Sequence, residues 1–294
     1  MSVLIYGFYN KNNIGDDLFK KCFELLFPNN TLLFTDHINL DLLQNNDTVV
    51  FGAGSILDGE IALSDQEIQL LLTKRIFYIG VGSETEISSF HKQILPKAEL
   101  VISRSINFNN LLRYNPYTMY MDDLVYLLKD RAKFSVKIKK SILWIPNIFI
   151  VPKNTDPYWM HSSWDHFKTE MSQSLDVLVN NGYIIDYFCM QNDKKYNDNN
   201  CAIEILNRCN SSDLLNKVES NRSFENITQL FSSYDIILSQ RLHGSIISDI
   251  VNTKHIAIYH HDKMKVNNKH SVLIDYYSFN KNKLLETINN FKSQ

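Results

Sequence analysis

An arginine and a histidine lie two positions apart in the sequence SQRLHGS at residues 239–245. Arg241 carries a permanent positive charge, and its planar guanidinium can donate two parallel hydrogen bonds to a carboxylate or a phosphate. The imidazole of His243 has an ordinary pKa of about 6.5, so it can exchange a proton near neutral pH. The pair is typical of an anion site with acid–base capacity. An ion pair of Arg241 with a local aspartate, beside a structural histidine, explains the same two residues and stays open at this point.

The residues around this pair predict the elements that position it. Apolar residues 234–238 indicate a strand, and residues 244–250 indicate a helix that starts directly after the pair. Backbone N–H groups at a helix start favour anions, so Gly244 and Ser245 are expected to contribute to the same site.

Short apolar runs alternate with helical patterns along the chain, which is typical of parallel sheets built from strand–helix units. The predicted strands are residues 3–7, 48–51, 75–79, 99–103, 117–121, 141–145, 183–188, 234–238 and 255–259. The 294 residues are many for a single hydrophobic core. We therefore predict an α/β fold of two Rossmann-like domains with parallel sheets, residues 1–138 and 139–294, facing each other across a cleft.

Polar and small residues follow several of the predicted strands in the first half. Open α/β sheets bind ligands beyond the carboxyl ends of their strands, so such residues are candidates for a site. The turn Gly52-Ala53-Gly54-Ser55 has the composition of a phosphate-binding turn, although tight turns without a ligand are commoner. The candidates in this half are Asn13, Gly15, Asp16, Gly52, Gly54, Ser55 and Arg104.

Composition narrows the class of protein. The 30 Lys and Arg against 32 Asp and Glu give a net charge of -2, so no overall field attracts nucleic acid or an anionic membrane, and any anion site must be local. We expect a cytoplasmic protein without a transmembrane segment, because long apolar runs and a signal-peptide pattern are lacking. The four cysteines lack CxxC spacing and are expected to be reduced. His255, His260, His261 and Asp262 lack the spacing of metal ligands, so no metal is expected.

Five segments together resemble the polysaccharide pyruvyl transferase family, whose members move the enolpyruvyl unit of phosphoenolpyruvate onto sugar hydroxyls, commonly as a ketal. The segments are YGFYNKNNIGDDLF at 6–19, VVFGAGSIL at 49–57, VISRSINFNNLL at 101–112, YMDDLVYLL at 120–128 and YDIILSQRLHGSIISDIVNTKHIAIYHHDKM at 234–264. Ala53 stands where the family usually has a third glycine, and Ser105 stands where an acidic residue usually follows the arginine. The last segment is the strongest match.

The resemblance implies a two-domain fold like that of GT-B glycosyltransferases, with the active site in the cleft. It also implies phosphoenolpyruvate as donor, a sugar or glycan as acceptor, release of phosphate, and no cofactor or metal ion. The implied donor side is the C-terminal domain, and the implied acceptor side is the N-terminal domain. His243 is then the candidate acid, or a protonated partner of the phosphate. Arg241, Arg104 and Lys263 are the candidate cations, and Asp16 either accepts a proton from the acceptor or only favours its helix start.

Two other functions stay open from the sequence. A glycosyltransferase of the same fold would use Arg241 and Lys263 to hold the diphosphate of a nucleotide sugar. A catalytically silent homologue would bind a sugar or an anion, and Ser105 keeps this alternative open. The sequence also leaves open which sugar is the acceptor and whether the chain forms a homo-oligomer.

Overall fold

A computed structural model describes residues 2–83, 86–105, 108–147, 157–193, 197–259 and 271–292, with the backbone alone for 157–161 and 292. The chain divides into two compact units, Met1–Leu128 and Lys129–Gln294. Each unit contains one six-stranded sheet, and all strand pairs in both sheets are parallel. Within the described ranges, no helix is long and apolar enough to cross a membrane.

The first unit alternates strands and helices from its first residues onward. Its elements are β1 (Ser2–Tyr6), α1 (Ile14–Leu26), β2 (Thr31–Thr35), α2 (Leu40–Gln44), β3 (Thr48–Gly54), α3 (Asp65–Leu71), β4 (Arg75–Val81), α4 (Ser89–Ile94), β5 (Leu100–Ser103), α5 (Asn109–Leu112) and β6 (Thr118–Tyr120). The strand order is β2-β1-β3-β4-β5-β6, and every residue of β3 is buried. Burial on both faces is why β3 is a continuous apolar run rather than an alternating pattern.

Side-chain caps determine where helices of this unit begin. The side chain of Asn13 accepts a hydrogen bond from the backbone of Gly15 at the start of α1. Ser64 and Glu67 bond reciprocally to each other's backbone at the start of α3, which is a capping box. Helix α1 therefore starts immediately after the loop that follows β1, and it holds that loop at the carboxyl end of the sheet.

The second unit repeats the same pattern with a longer helix. Its elements are β7 (Ile138–Ile145), α6 (Pro157–Asn180), β8 (Ile184–Tyr187), α7 (Asp198–Leu206), β9 (Leu215–Lys217), α8 (Phe224–Ser232), β10 (Tyr234–Ser239), α9 (Leu242–Ile250), β11 (Lys254–Tyr259), β12 (Val272–Asp275) and α10 (Lys281–Lys292). The strand order is β12-β11-β10-β7-β8-β9. Helix α6 packs its apolar face against the sheet, where Phe167, Met171 and Leu175 are fully buried.

The predicted fold class, two Rossmann-like domains with parallel sheets, is confirmed. The two units meet in sequence between residues 128 and 129, and the first strand of the second unit begins at Ile138. The cleft expected between the domains stays a prediction. Strands β2, β9 and β12 were not predicted, and all three lie at sheet edges or are short.

Candidate active site

The backbone of Arg241 is fixed at the junction between β10 and α9. Arg241 is the residue immediately before α9, with an extended backbone, and its side chain does not cap the helix. The hydroxyl of Ser239 accepts from the backbone N–H of Arg241 at 3.1 Å and donates to its carbonyl oxygen at 2.8 Å. Gly244 permits this arrangement, because a Cβ there would lie 2.4 Å from Ser239 Oγ. Close packing therefore accounts for the predicted site residue Gly244.

The guanidinium of Arg241 forms a two-pronged ion pair with Asp198, the first residue of α7. Nε donates to Oδ2 at 2.8 Å, and Nη2 donates to Oδ1. Asp198 is fully buried, and its Oδ2 also accepts from the backbone N–H groups of Met190 at 3.1 Å and Gln191 at 2.9 Å. Burial raises the pKa of Asp198 above its ordinary value, although Arg241 and these two backbone donors oppose the shift. The two guanidinium N–H groups and the two backbone N–H groups together give Asp198 four donors, as suits an ionised carboxylate. The carboxylate in turn fixes the direction of the guanidinium.

The pair leaves one edge of the guanidinium outside the contact with Asp198. A guanidinium has five N–H donors, and the bonds to Asp198 use Nε and Nη2, so Nη1 lies outside them. The side chain of Arg241 keeps 13% of its surface exposed, while Asp198 keeps none. Arg241 is therefore anchored on one side and partly accessible, as an anion-binding arginine must be.

The first turn of α9 carries the other predicted residues of this site. His243 is half-buried, with a buried Nε2 atom. Ser245 is fully buried, and its hydroxyl has no hydrogen-bond partner within the described part of the chain. Arg241 thus forms an ion pair, but with Asp198, 43 residues away, and not with a local aspartate. This pair coexists with an unpartnered hydroxyl in the first turn of α9.

Two more buried acceptors lie at the carboxyl edge of this sheet. Asn147 follows β7 and Asn192 follows β8, and the side-chain Oδ1 atoms of both are buried without a partner among the residues described. Gln240 links this edge together, because its Oε1 accepts from Trp144 Nε1 at 2.9 Å and its backbone oxygen accepts from Asn147 Nδ2 at 3.4 Å. Buried polar atoms without partners are uncommon in proteins and call for a water or a ligand.

In the first unit, the candidates at the start of α1 bond to one another. Asn13 Oδ1 accepts from the backbone N–H of Gly15 at 3.1 Å, and Asn13 Nδ2 donates to Asp16 Oδ2 at 2.8 Å. Asp16 faces the end of β3, since a Cβ on Gly54 would lie 3.8 Å from Asp16 Oδ1. The structure thus brings Asp16 and Gly54 together and also gives Asp16 a structural bond.

Two different constraints require small residues at the glycine-rich end of β3, namely close packing and a positive φ. A Cβ on Gly52 would lie 2.6 Å from the ring of Phe23, so close packing requires glycine there. Gly54 adopts φ +88°, which favours glycine. Ala53 adopts φ 59°, a left-handed conformation that is unfavourable for a residue with a Cβ.

Arg104 follows β5 and forms the second buried arginine–aspartate pair. Its Nη1 donates to Asp123, whose side chain is fully buried, and its Nη2 lies 3.5 Å from Ser55 Oγ. The guanidinium also lies over the ring of Phe19, 5.9 Å from the ring centre. The predicted residues Ser55 and Arg104 are therefore neighbours at the carboxyl end of the first sheet.

The predicted cation Lys263 lies outside the described residues, as do His260, His261 and Asp262. Asp235, from the same segment, lies at the amino end of β10, where it accepts from the backbone N–H of Lys140. Sequence reasoning missed Asp198 and did not identify Asp123 as a partner of Arg104. These pairs span 43 and 19 residues, so no local spacing reveals them.

All four cysteines are free thiols, as the sequence predicts. Burial raises the pKa of Cys189 and the pKa of Cys209 to about 12 each. Both thiols therefore stay protonated at neutral pH and are poor nucleophiles.

A family of known proteins matches the part of the chain that contains these candidate residues. The model of the polysaccharide pyruvyl transferase family matches residues 5–262. This stretch contains every candidate residue except Lys263, which lies one residue beyond it. No curated protein is similar enough to the chain to count as a match.

Several solved structures share the fold over the whole chain. MnaA of S. aureus, in a structure with UDP, is 10% identical with a TM-score of 0.62 and aligns over 100% of this chain and 88% of its own. A UDP-N-acetylglucosamine 2-epimerase from Rickettsia bellii is 11% identical, with a TM-score of 0.57 and coverage of 100% and 88%. The UDP-GlcNAc 2-epimerase of Methanocaldococcus jannaschii with UDP-GlcNAc and UDP is 10% identical, with a TM-score of 0.51 and coverage of 100% and 92%. Similarity at this level of identity describes the fold alone.

Proposed function

Because the chain belongs to the polysaccharide pyruvyl transferase family, a family of transferases with sugar acceptors, we propose that phosphoenolpyruvate is its donor and that phosphate is released. The observation that carries the proposal is the guanidinium of Arg241, fixed by the buried Asp198 beside the start of α9. Phosphoenolpyruvate bears a carboxylate and a phosphate, and both groups favour a preoriented guanidinium and helix N–H donors.

The proposed reaction joins one pyruvyl group to two sugar hydroxyls. The methylene carbon of phosphoenolpyruvate takes a proton and becomes a methyl group, which makes C2 electrophilic. One hydroxyl oxygen bonds to C2, the bond from C2 to the phosphate oxygen breaks, and the second hydroxyl oxygen closes the ketal. The two hydroxyl hydrogens are accounted for by the new methyl group and the released phosphate. No electron acceptor is needed, since carbon is neither oxidised nor reduced overall.

Within this reaction, we assign the donor to the second unit and the acceptor to the first. His243, in the first turn of α9, either supplies the proton or, when its imidazole is protonated, binds the phosphate. Arg241 holds the donor anion, and the unpartnered hydroxyl of Ser245 supports a polar ligand at the same turn. Asp16, whose Oδ2 accepts from Asn13 Nδ2, is assigned to receive a proton from the acceptor. We also assign Lys263, which lies outside the described residues, as a further cation.

Two substitutions test the assigned roles. His243→Ala should abolish transfer while the thermal midpoint of unfolding stays close to that of the native protein. Arg241→Lys should raise KM for phosphoenolpyruvate by about tenfold or more, because a lysine cannot donate the two parallel hydrogen bonds of a planar guanidinium. Asp213→Asn is the matched control, since Asp213 is exposed and lies on a short helical turn at 212–214. Near-normal transfer by His243→Ala would remove this histidine from the chemistry.

A nucleotide-sugar enzyme is the alternative, because the similar structures include proteins solved with UDP or UDP-GlcNAc. Thermal-shift measurements separate the candidates. Stabilisation by phosphoenolpyruvate supports pyruvyl transfer, stabilisation by UDP or GDP supports the alternative, and stabilisation by neither supports a silent homologue. A mass increase of an acceptor glycan by one pyruvyl group, measured across a glycan panel, then identifies the acceptor.

A further inference from the structure

A basic segment begins the second unit at residues 129–140. It contains six cations and a single acidic residue, Asp130. All six cations are exposed, and so is every residue from 133 to 140. The cations are Lys129, Arg131, Lys133, Lys137, Lys139 and Lys140. This local excess of positive charge contrasts with the net charge of -2 for the whole chain.

The charges of the basic segment are not neutralised within the described structure. Lysines elsewhere form ion pairs, such as Lys11 with Asp36 and Lys217 with Glu219. No ion pair among the described residues involves any of the six cations of the basic segment. Lys140 instead lies over the ring of Tyr183, 5.7 Å from its centre. The segment therefore presents an uncompensated positive surface.

Apolar side chains are exposed between these cations. Val136 is 88% exposed, Phe134 is 64% exposed and Ile138 is 42% exposed. Val136 is the most exposed of the large apolar residues in the described part of the chain. Scattered exposed apolar residues are normal on protein surfaces, but three at alternate positions within one cationic segment form a patch.

The backbone of the basic segment is held in place despite the exposure of its side chains. The backbone N–H of Lys133 donates to Thr228 Oγ1 at 3.0 Å, and that of Ser135 donates to Ser232 Oγ at 2.8 Å. The N–H of Ile138 donates to the carbonyl oxygen of Ser233 at 2.7 Å. These bonds to α8 and the turn after it use the backbone, so the side chains of the segment remain available to a partner.

The basic segment lies at the amino end of the second sheet. Ile138 begins β7 and pairs with Tyr234, the first residue of β10, whereas Arg241 follows the last residue of β10. Because all strands are parallel, the segment and the candidate active site occupy opposite ends of the same sheet. Ile184, at the start of the adjacent β8 and paired with Ser141 of β7, is 50% exposed.

We propose that the basic segment docks the protein onto an anionic lipid surface, with Phe134 and Val136 inserted among the headgroups. Cationic side chains are attracted to anionic lipids, and interleaved apolar side chains gain by leaving water at the boundary of headgroups and acyl chains. A soluble polyanion would satisfy the cations but would leave the apolar residues in water. The apolar residues therefore favour a membrane over a soluble anionic glycan.

Sedimentation with vesicles tests this proposal on the full chain. We expect binding to phosphatidylcholine vesicles that contain about one third phosphatidylglycerol, weak or no binding to phosphatidylcholine alone, and loss of binding at high salt. The variant Lys133→Glu/Lys137→Glu/Lys139→Glu should lower the partition coefficient by at least about a hundredfold, from roughly fivefold per cationic charge removed. The matched control Lys92→Glu/Lys97→Glu/Lys283→Glu changes the net charge equally at exposed sites elsewhere and should bind almost as the native protein does.

Two further variants separate lipid insertion from simple charge attraction. Phe134→Ser/Val136→Ser should weaken vesicle binding by about tenfold, because it removes the apolar part of the contact. Phe134→Trp should show a blue-shifted emission, after subtraction of the native spectrum, with the anionic vesicles and no shift with heparin. Equal binding of the native protein and the lysine variant, full binding by Phe134→Ser/Val136→Ser, or an unshifted tryptophan on vesicles would each overturn the proposal. Phosphoenolpyruvate-dependent stabilisation should be unchanged in all of these variants, so failure here is distinguishable from failure of the proposed function.

Discussion

The two units present similar candidate residues at the carboxyl ends of their sheets, but the polar atoms of these residues differ in their hydrogen-bond partners. In the first unit Asn13 bonds to Asp16, and Arg104 bonds to Asp123 and lies near Ser55, so the candidates bond to each other. In the second unit the arginine is equally well anchored, but buried polar atoms around it lack partners in the described structure. These atoms belong to Asn147, Asn192 and Ser245.

This difference indicates which unit is prepared for a polar ligand. A buried polar atom without a partner costs free energy that a bound ligand or water recovers, whereas a satisfied network gains little from a ligand. We infer that the second unit holds a preformed polar site. The guanidinium of Arg241 and the hydroxyl of Ser245 can donate to an anion, whereas the amide oxygens of Asn147 and Asn192 accept and suit a water or a ligand hydroxyl. In the first unit, Asp16, the group proposed to act on the acceptor, already accepts a hydrogen bond from Asn13.

Substitution of the two buried carboxylates, Asp198 and Asp123, should have the largest effect and tests the difference between the two units. Asp198→Ala should lower the free energy of unfolding by about 3–5 kcal/mol, because it leaves a guanidinium without its partner and two backbone N–H groups without an acceptor. Asp123→Ala should cost about 1–2 kcal/mol less, since Arg104 keeps its contacts with Ser55 Oγ and the ring of Phe19 when this carboxylate is removed. Chemical denaturation measures both, with the exposed Asp213→Ala as the control. Equal costs for the two variants would contradict the difference between the pairs.

Acid should destabilise the first unit through His91. Burial lowers the pKa of His91 to about 4, and its Nδ1 lies 2.9 Å from the hydroxyl of Tyr78. The unfolded chain takes up the proton near pH ~6.5, so the free energy of unfolding should fall as pH drops from about 6.5 to 4, by up to ~3 kcal/mol. This stability is fully present above pH ~6.5. Denaturation of the native protein and of His91→Gln at pH 7 and 4.5 measures it, and an unchanged pH dependence in the variant would refute the assignment to His91.

The packing of Gly244 against Ser239 offers a test specific to the second unit. Gly244→Ala should cost about 1–3 kcal/mol, because the new methyl group would lie 2.4 Å from Ser239 Oγ. In a Ser239→Ala background the same substitution should cost less, since the crowding atom is gone. A double-mutant cycle by thermal denaturation measures this coupling. Additive costs would show that the hydroxyl of Ser239 does not determine the residue at 244.

The smallest expected effect is a gain of stability in the first unit. Ala53→Gly should raise the free energy of unfolding by about 0.5–1 kcal/mol, because glycine relieves the left-handed backbone at φ 59°. The same change at Ala202, a buried residue of α7, serves as the opposite control and should be destabilising. A loss of stability in Ala53→Gly would mean that the methyl group of Ala53 contributes more through packing than its backbone costs.

Local patterns in the sequence were sufficient for the fold class and for the grouping of candidates at sheet ends. Strands such as β3 are dense apolar runs, and small or polar residues follow them, so both features can be recognised without the structure. Edge strands were harder to predict: β9 buries only Leu215, and β12 buries only Ile274. Their exposed residues lack the apolar run that identifies a central strand.

Long-range partners and packing reasons could not be predicted from spacing. Asp198 looks in the sequence like one more acid in an asparagine-rich loop, and only the fold brings it to Arg241. Gly244 looked like part of an anion site, but its contact with Ser239 explains it by packing. The excess of basic residues at 129–140 can be counted in the sequence, whereas the absence of ion pairs to them among the described residues needed the structure.

The proposed activity is transfer of a pyruvyl group from phosphoenolpyruvate to a glycan. Measuring inorganic phosphate and pyruvylated glycan in the same reaction tests it most directly. We expect one phosphate per pyruvyl ketal, no phosphate without an acceptor, and neither product with His243→Ala. Phosphate release that does not depend on an acceptor, or sugar transfer from a nucleotide sugar in place of pyruvylation, would contradict it.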